Sequence, residues 1–165
     1  VAARRLAAQL VALCGERLPS MDGQHPGLTR AFPTPRQLAR AELGTLGMPS
    51  ARRAALRALA EAALADPQLF RPLGTVEEVI GRLRSIRGIG EWTAQYIALR
   101  ALRETDAFPA SDIGLLRGAA RGSRRRPTPA DLLRRAEPWR PWRAYAAQHL
   151  WTTDAVALRN GKDAR

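Results

Sequence analysis

One cysteine, one lysine and two histidines occur in the 165 residues, and only 5% of them are aromatic. Each scarcity removes a class of chemistry. Cys14 cannot form an internal disulfide, and alone it cannot supply the several thiolates of a structural zinc site or an iron–sulfur cluster. His25 and His149 are too few and too scattered to suggest a divalent metal centre. No apolar run approaches the length that spans a bilayer, so no membrane partner is expected. A protein so poor in cysteine fits the reducing cytoplasm.

What remains is a globular composition, 45% hydrophobic and 25% charged, at a length that suits one compact domain over residues 1–165. Basic residues outnumber acidic ones 27 to 15, and every basic residue but Lys162 is an arginine. A net charge of +12 makes a polyanion the expected partner. Arginine excess also arises from a GC-rich genome, so the position of the charges has to decide. The chain opens at Val1 without a methionine, with a helical pattern already under way, and reads as a fragment of a longer protein.

Apolar residues recur at helical spacing almost throughout, and no stretch alternates with the period of a strand, so the expected fold class is all-α. Three helix starts are signposted: Thr34-Pro35-Arg36-Gln37, Thr75-Val76-Glu77-Glu78 and Thr128-Pro129-Ala130-Asp131 each place a hydroxyl three residues before a side chain able to reach back. The spacing predicts eight short helices, at about 2–18, 35–43, 50–65, 75–86, 91–104, 113–120, 129–137 and 139–153. Loops such as "PSMDGQHPG" and "RGSRRRPTP" separate them. The Arg124-Arg125-Arg126 run reads as a solvated loop, with phosphate contact as the alternative.

The most informative stretch is "LRSIRGIGEWTAQYIALRA", residues 83–101. A helix ending near Ile86, a Gly88-Ile89-Gly90 turn and a helix starting near Glu91 make a helix-hairpin-helix. Glycines at the turn also let a phosphate reach the free amides of the second helix, where the dipole favours an anion. An ordinary turn between helices would look the same from the glycines alone. The wider pattern Leu83-x-x-Ile86-x-Gly88-Ile89-Gly90-x-x-Thr93-Ala94, in so basic a chain, points to DNA.

On these residues, continued by "DAFPASDIGLLR", "FPTPRQLARAELGTLGMPSARRAALRALA" and "WRPWRAYAAQHLWTTDA", the chain resembles the helix-hairpin-helix DNA glycosylase superfamily. Within it, the chain resembles the 3-methyladenine DNA glycosylase II (AlkA-type) family. The resemblance implies a glycosylase domain that binds double-stranded DNA with alkylated bases at a bacterial nucleoid in the cytoplasm, acting as a monomer. It places the catalytic aspartate at Asp112, where a carboxylate can stabilise the oxocarbenium-like sugar formed as the base departs. Asp112 also reads as an N-cap for the next helix, and the two roles are compatible. Asp106, at a helix end, matches no catalytic position.

The same resemblance puts Trp92, Tyr96 and Trp151 in the base pocket. Trp92 and Tyr96, four apart on one helical face, can form a wall, although helical aromatics also commonly serve as core. Gly88, Ile89, Gly90 and Thr93 would meet the DNA backbone, and Arg117 would brace the aspartate or contact phosphate, or be a plain surface arginine. No cofactor is required and no iron–sulfur cluster is expected. A structural sodium or potassium is implied at the hairpin, on the main-chain carbonyls of Arg84, Ile86 and Ile89. Relatives that also cut the strand carry a lysine where Trp92 stands, so lyase activity is not expected. Trp139 and Trp142 flank prolines and read as packing residues.

Two departures qualify the resemblance. Family members carry an N-terminal β-rich domain and, just before the position of Val1, a segment that wedges into DNA. A noncatalytic helix-hairpin-helix module that recognises damaged or distorted DNA is therefore the alternative. The discriminating geometry is whether the Asp112 carboxylate opens into a cleft shared with Trp92, Tyr96 and Trp151.

Overall fold

The computed structural model describes residues 2–19, 28–121 and 125–163. Eight α-helices and two 3-10 turns are found there, and the single β feature among the described residues is an isolated antiparallel bridge between Arg17 and Arg30. The fold is all-α. The chain divides into two compact units, Val1–Leu69 with Ile86–Gly88, and Phe70–Ser85 with Ile89–Arg165.

The first unit holds α1 (Ala2–Cys14), α2 (Pro35–Arg40), a 3-10 turn (Leu43–Thr45) and α3 (Ser50–Ala65). Leu10, Leu38, Leu43, Leu46 and Ala60 form its buried cluster, with Cys14, Met48 and Leu56 packed against it. Each leucine so buried contributes about 1.5–3 kcal/mol. Helix α1 stops four residues short of the expected end. Gly15 makes the last helical bond, to the Val11 carbonyl, and a Cβ there would lie 2.3 Å from the Ala31 oxygen. Beyond it, the Leu18 amide donates to Thr29 and the Ala31 amide to Glu16, so a pairing between distant segments captures the backbone. Helix α2 likewise ends at Arg40, and the freed Ala41 carbonyl accepts from the Arg57 guanidinium at 2.8 Å. His25 and most of the loop around it lie outside the described residues.

The second unit holds α4 (Val76–Arg84), α5 (Glu91–Arg100), α6 (Ile113–Ala119), α7 (Pro129–Ala136), a 3-10 turn (Glu137–Trp139) and α8 (Arg143–Asp163). Val79, Leu83, Ala94, Ala98, Phe108, Leu115, Leu132 and Ala147 are buried in it. The capping boxes expected at Thr75 and Thr128 are both formed, as is the one at Thr34 in the first unit. Helix α5 ends at Arg100 rather than 104, because the chain turns back through Arg103 at φ +61, a torsion that arginine rarely adopts.

Helix α8 starts later than expected and runs ten residues further. Pro141, lacking an N–H, sits in the turn before it. Thr152 and Thr153 do not end the helix, since their hydroxyls donate to the carbonyls of Gln148 and His149, both at 2.9 Å. At its start the guanidinium of buried Arg143 grips Asp106 with two bonds, 2.7 and 2.8 Å, and Arg140 adds a third at 2.8 Å while also pairing with Glu77. Asp106 is thus the anchor that ties the starts of α4 and α8 to the segment ahead of α6.

Helices α6 and α8 approach closely because of two glycines four apart. A Cβ on Gly118 would lie 2.2 Å from the Leu150 carbonyl oxygen, and one on Gly114 would lie 2.9 Å from the Trp151 ring. This contact decides where Trp151 stands.

Candidate active site

The turn between α4 and α5 uses its two glycines for different ends. Gly88 has φ +86, and a Cβ there would meet the Ala55 side chain at 2.6 Å, so both torsion and space demand glycine. Gly90 has an ordinary φ of −87 and nothing within 4 Å of a built Cβ. It caps α5 without any side-chain acceptor, and the first helical bond there runs from Ala94 to the Gly90 carbonyl. The leading amides of α5 thus have no side-chain cap, an arrangement that suits an anion. Ile89 is buried and Thr93 half-buried, while Arg84 pairs with Glu91 at 3.1 Å on the surface.

Asp112 is the N-cap of α6, its side chain accepting from the amides of Gly114 at 2.8 Å and Leu115 at 3.1 Å. Two indoles complete its shell. Trp151 Nε1 donates to the same oxygen, Oδ1, at 2.8 Å, and Trp92 Nε1 donates to Oδ2 at 2.9 Å. Oδ1 thus has three donors and Oδ2 one, which leaves Oδ2 the freer oxygen. Burial pushes the Asp112 carboxyl up, but the bonds from Trp151, Trp92, Leu115 and Gly114 outweigh it and hold the pKa below the usual carboxylate value. Asp112 is a carboxylate at neutral pH.

Around it, Trp92 and Tyr96 stack with ring centres 5.2 Å apart and planes at 15°, and Trp151 meets Tyr96 edge-on at 6.1 Å. Trp92 is 41% exposed and Tyr96 37%, so neither is core. Together with Asp112 and Arg100 these rings line a cleft of about 400 Å³. The arrangement sets a fixed negative charge beside an open aromatic wall, which can bind a flat cation and stabilise a second positive charge forming nearby.

The four residues expected to act on the base and sugar are therefore brought together. Arg117 is not among them. Both arms of its guanidinium are taken by Asp154, at 2.9 and 2.7 Å, and it makes no hydrogen bond to Asp112. Trp139 packs edge-on against Phe108, as expected, but Trp142 is 57% exposed and meets the equally open Tyr145. Three contributors escaped the sequence reading: Arg100, and the glycines Gly114 and Gly118. The spacing Trp92, Tyr96, Arg100 on one helical face was the available signal for the first, and the i, i+4 glycine pair inside a helix for the others. Of the Arg124-Arg125-Arg126 run, Arg124 lies outside the described residues. Among the described residues no group of His, Cys, Asp or Glu is arranged to hold a metal ion, and no helix is long and apolar enough to cross a membrane.

No family model matches the chain. The "Probable bifunctional transcriptional activator/DNA repair enzyme AlkA" of Mycobacterium tuberculosis is 43% identical over 156 residues, covering 92% of this chain and 30% of that protein. DNA-3-methyladenine glycosylase 2 of Escherichia coli is 40% identical over 155 residues, covering 92% of this chain and 51% of its own length. The chain thus spans about half, or less, of these curated relatives. Among solved structures, the 3-methyladenine DNA-glycosylase of Archaeoglobus fulgidus superposes with a TM-score of 0.75 at 24% identity, covering 93% of this chain and 52% of that one. The Schizosaccharomyces pombe 3-methyladenine DNA glycosylase, solved in complex with abasic DNA, gives 0.65 at 29% identity over 73% of this chain and 62% of that one.

Proposed function

Because the chain belongs to the AlkA-type 3-methyladenine DNA glycosylase family of the helix-hairpin-helix superfamily, we propose that it excises alkylated purines from double-stranded DNA by hydrolysing the N-glycosidic bond. The observation that carries this reading is the Asp112 carboxylate opening into a cleft walled by Trp92, Tyr96 and Trp151. Methylation at N3 of adenine or N7 of guanine makes the base cationic and already a good leaving group. Such a base, flipped from the duplex, is attracted to the π-face of the stacked Trp92–Tyr96 pair. As the C–N bond breaks, its electron pair leaves with the base and positive charge spreads over the sugar, where Asp112 Oδ2 stabilises it. Water then adds to the sugar carbon and sheds a proton, leaving an abasic site. Trp92 stands where strand-cutting relatives carry a lysine, and Lys162 is the sole lysine in the sequence, so no Schiff base is expected and the strand stays uncut.

The uncapped amides at the start of α5 support DNA-backbone binding that is independent of sequence. The proposal extends, as the family resemblance implies, to a sodium or potassium ion on the main-chain carbonyls of Arg84, Ile86 and Ile89. Such an ion would supply positive charge next to a bound phosphate. The same reading extends to action as a monomer on nucleoid DNA in a bacterial cytoplasm.

The experiment is release of methylated purines from alkylated duplex DNA by the intact protein. Tight DNA binding without release would sink the enzyme reading and leave a noncatalytic helix-hairpin-helix module.

A further inference from the structure

The cleft contains one residue for which base recognition and hydrolysis provide no task. Arg100 lines it beside Trp92, Tyr96, Asp112 and Trp151, one turn beyond Tyr96 on the exposed side of α5. Its guanidinium has no hydrogen bond or ion pair among the described residues. This sets it apart from Arg117, Arg140 and Arg143 of the same unit, each held by a carboxylate. Nor does it serve Asp112, whose four donors are two indoles and two amides.

A flipped nucleotide has three chemically distinct parts, and the cleft presents three matching groups. The aromatic pair suits the flat cationic base, and the carboxylate suits the sugar that becomes positive. A free guanidinium repels a cationic base but fits a phosphate diester, whose oxygens its planar fork can engage in pairs. On the glycosylase reading above, we propose that Arg100 binds the backbone phosphate adjoining the extruded nucleotide, and so holds the flipped state rather than the duplex at large.

The test uses the intact protein, as wild type and as Arg100→Ala, with two duplexes of one sequence, one undamaged and one carrying a tetrahydrofuran abasic analogue. Arg100→Ala should weaken binding to the abasic duplex about tenfold, as for loss of a charge-assisted hydrogen bond. Its affinity for undamaged duplex should stay within about twofold of wild type, because an unflipped strand does not reach the cleft. The slope of log affinity against log salt on the abasic duplex should fall by about 0.9. A neutral methylphosphonate is then placed at each phosphate flanking the analogue in turn. At one of them it should weaken wild type but cost Arg100→Ala nothing further. Equal weakening on both duplexes, or full additivity at both flanking phosphates, overturns the assignment. The two proposals fail separately: a wild type that releases no methylated base refutes the glycosylase reading, whereas release together with unchanged abasic-site affinity in Arg100→Ala refutes only this one.

Discussion

Asp112→Asn removes one negative charge and keeps the shape of the side chain, so its consequences follow from the hydrogen bonds around each oxygen. Oδ1 accepts from Gly114, Leu115 and Trp151, and Oδ2 from Trp92. An asparagine carbonyl in the place of Oδ1 keeps all three bonds, since asparagine caps a helix as well as aspartate does. The amide nitrogen then falls where Oδ2 was and faces the Trp92 indole N–H, donor against donor. One hydrogen bond to a charged acceptor is lost, a cost of about 1.5–3 kcal/mol. With Trp92 41% exposed, water can replace the partner, and the lower end applies. The variant therefore stays folded. Its chemistry does not survive, because a neutral amide cannot offset charge developing on the sugar. Loss of one preorganised electrostatic group costs about 10²- to 10³-fold in rate, and loss of a full charge at least that. Affinity for an abasic duplex should be equal or higher, as a negative charge near phosphates has gone. Single-turnover release of methylated purines, thermal unfolding and binding to abasic duplex measure the three quantities. Release at the wild-type rate from a folded variant would refute the catalytic assignment of Asp112.

The two hairpin glycines should separate fold from binding. Gly88→Ala forces a positive φ and a contact with Ala55, so it should lower stability by more than about 1 kcal/mol. Gly90→Val, a poorer N-cap but free of clash, should cost no more than about 1 kcal/mol in unfolding and weaken all duplexes alike, and wild-type affinity in that variant would argue against phosphate at α5. Asp106→Ala leaves the buried Arg143 guanidinium with only the 4.0 Å ion pair to Glu137 and should cost about 3–5 kcal/mol in urea unfolding; a loss below about 1 kcal/mol would mean that the pair is not structural. Because its donors favour the ionised form, Asp112 should titrate below the ordinary carboxylate range in a carboxyl ¹³C NMR titration. The stability that Asp112 lends is therefore present above the unfolded carboxyl's pKa and lost as pH falls through the lower folded one. Trp151→Phe removes one donor and should move that titration to higher pH, and an unmoved titration would show that the indole bond is unimportant.

Several features of this protein were legible in the chain because their causes are local. A hydroxyl three residues ahead of Gln37, Glu78 or Asp131 caps a helix whatever surrounds it, and all three capping boxes form. Trp92 and Tyr96 share a wall because residues four apart on a helix share a face. The glycine turn and the N-cap at Asp112 are equally short-range. Other features depended on residues far away in sequence. The run of α1 to residue 18 was cut off by a partner segment around Thr29–Ala31, and α8 ran on through threonines whose hydroxyls fold back on the helix. Helical spacing could not distinguish packed Trp139 from open Trp142, since Trp139 lies against buried Phe108 whereas the ring that Trp142 meets, Tyr145, is itself exposed. Asp106 and Asp112 are chemically identical six residues apart. The first meets the guanidinium of Arg143 and becomes an anchor. The second meets two indoles, one of them brought by the close approach of α8 across Gly114 and Gly118, and is left with an oxygen facing a cleft. Side-chain chemistry and short spacings therefore reveal what a residue is able to do, while its partners, set by long-range packing, decide which of those things it does.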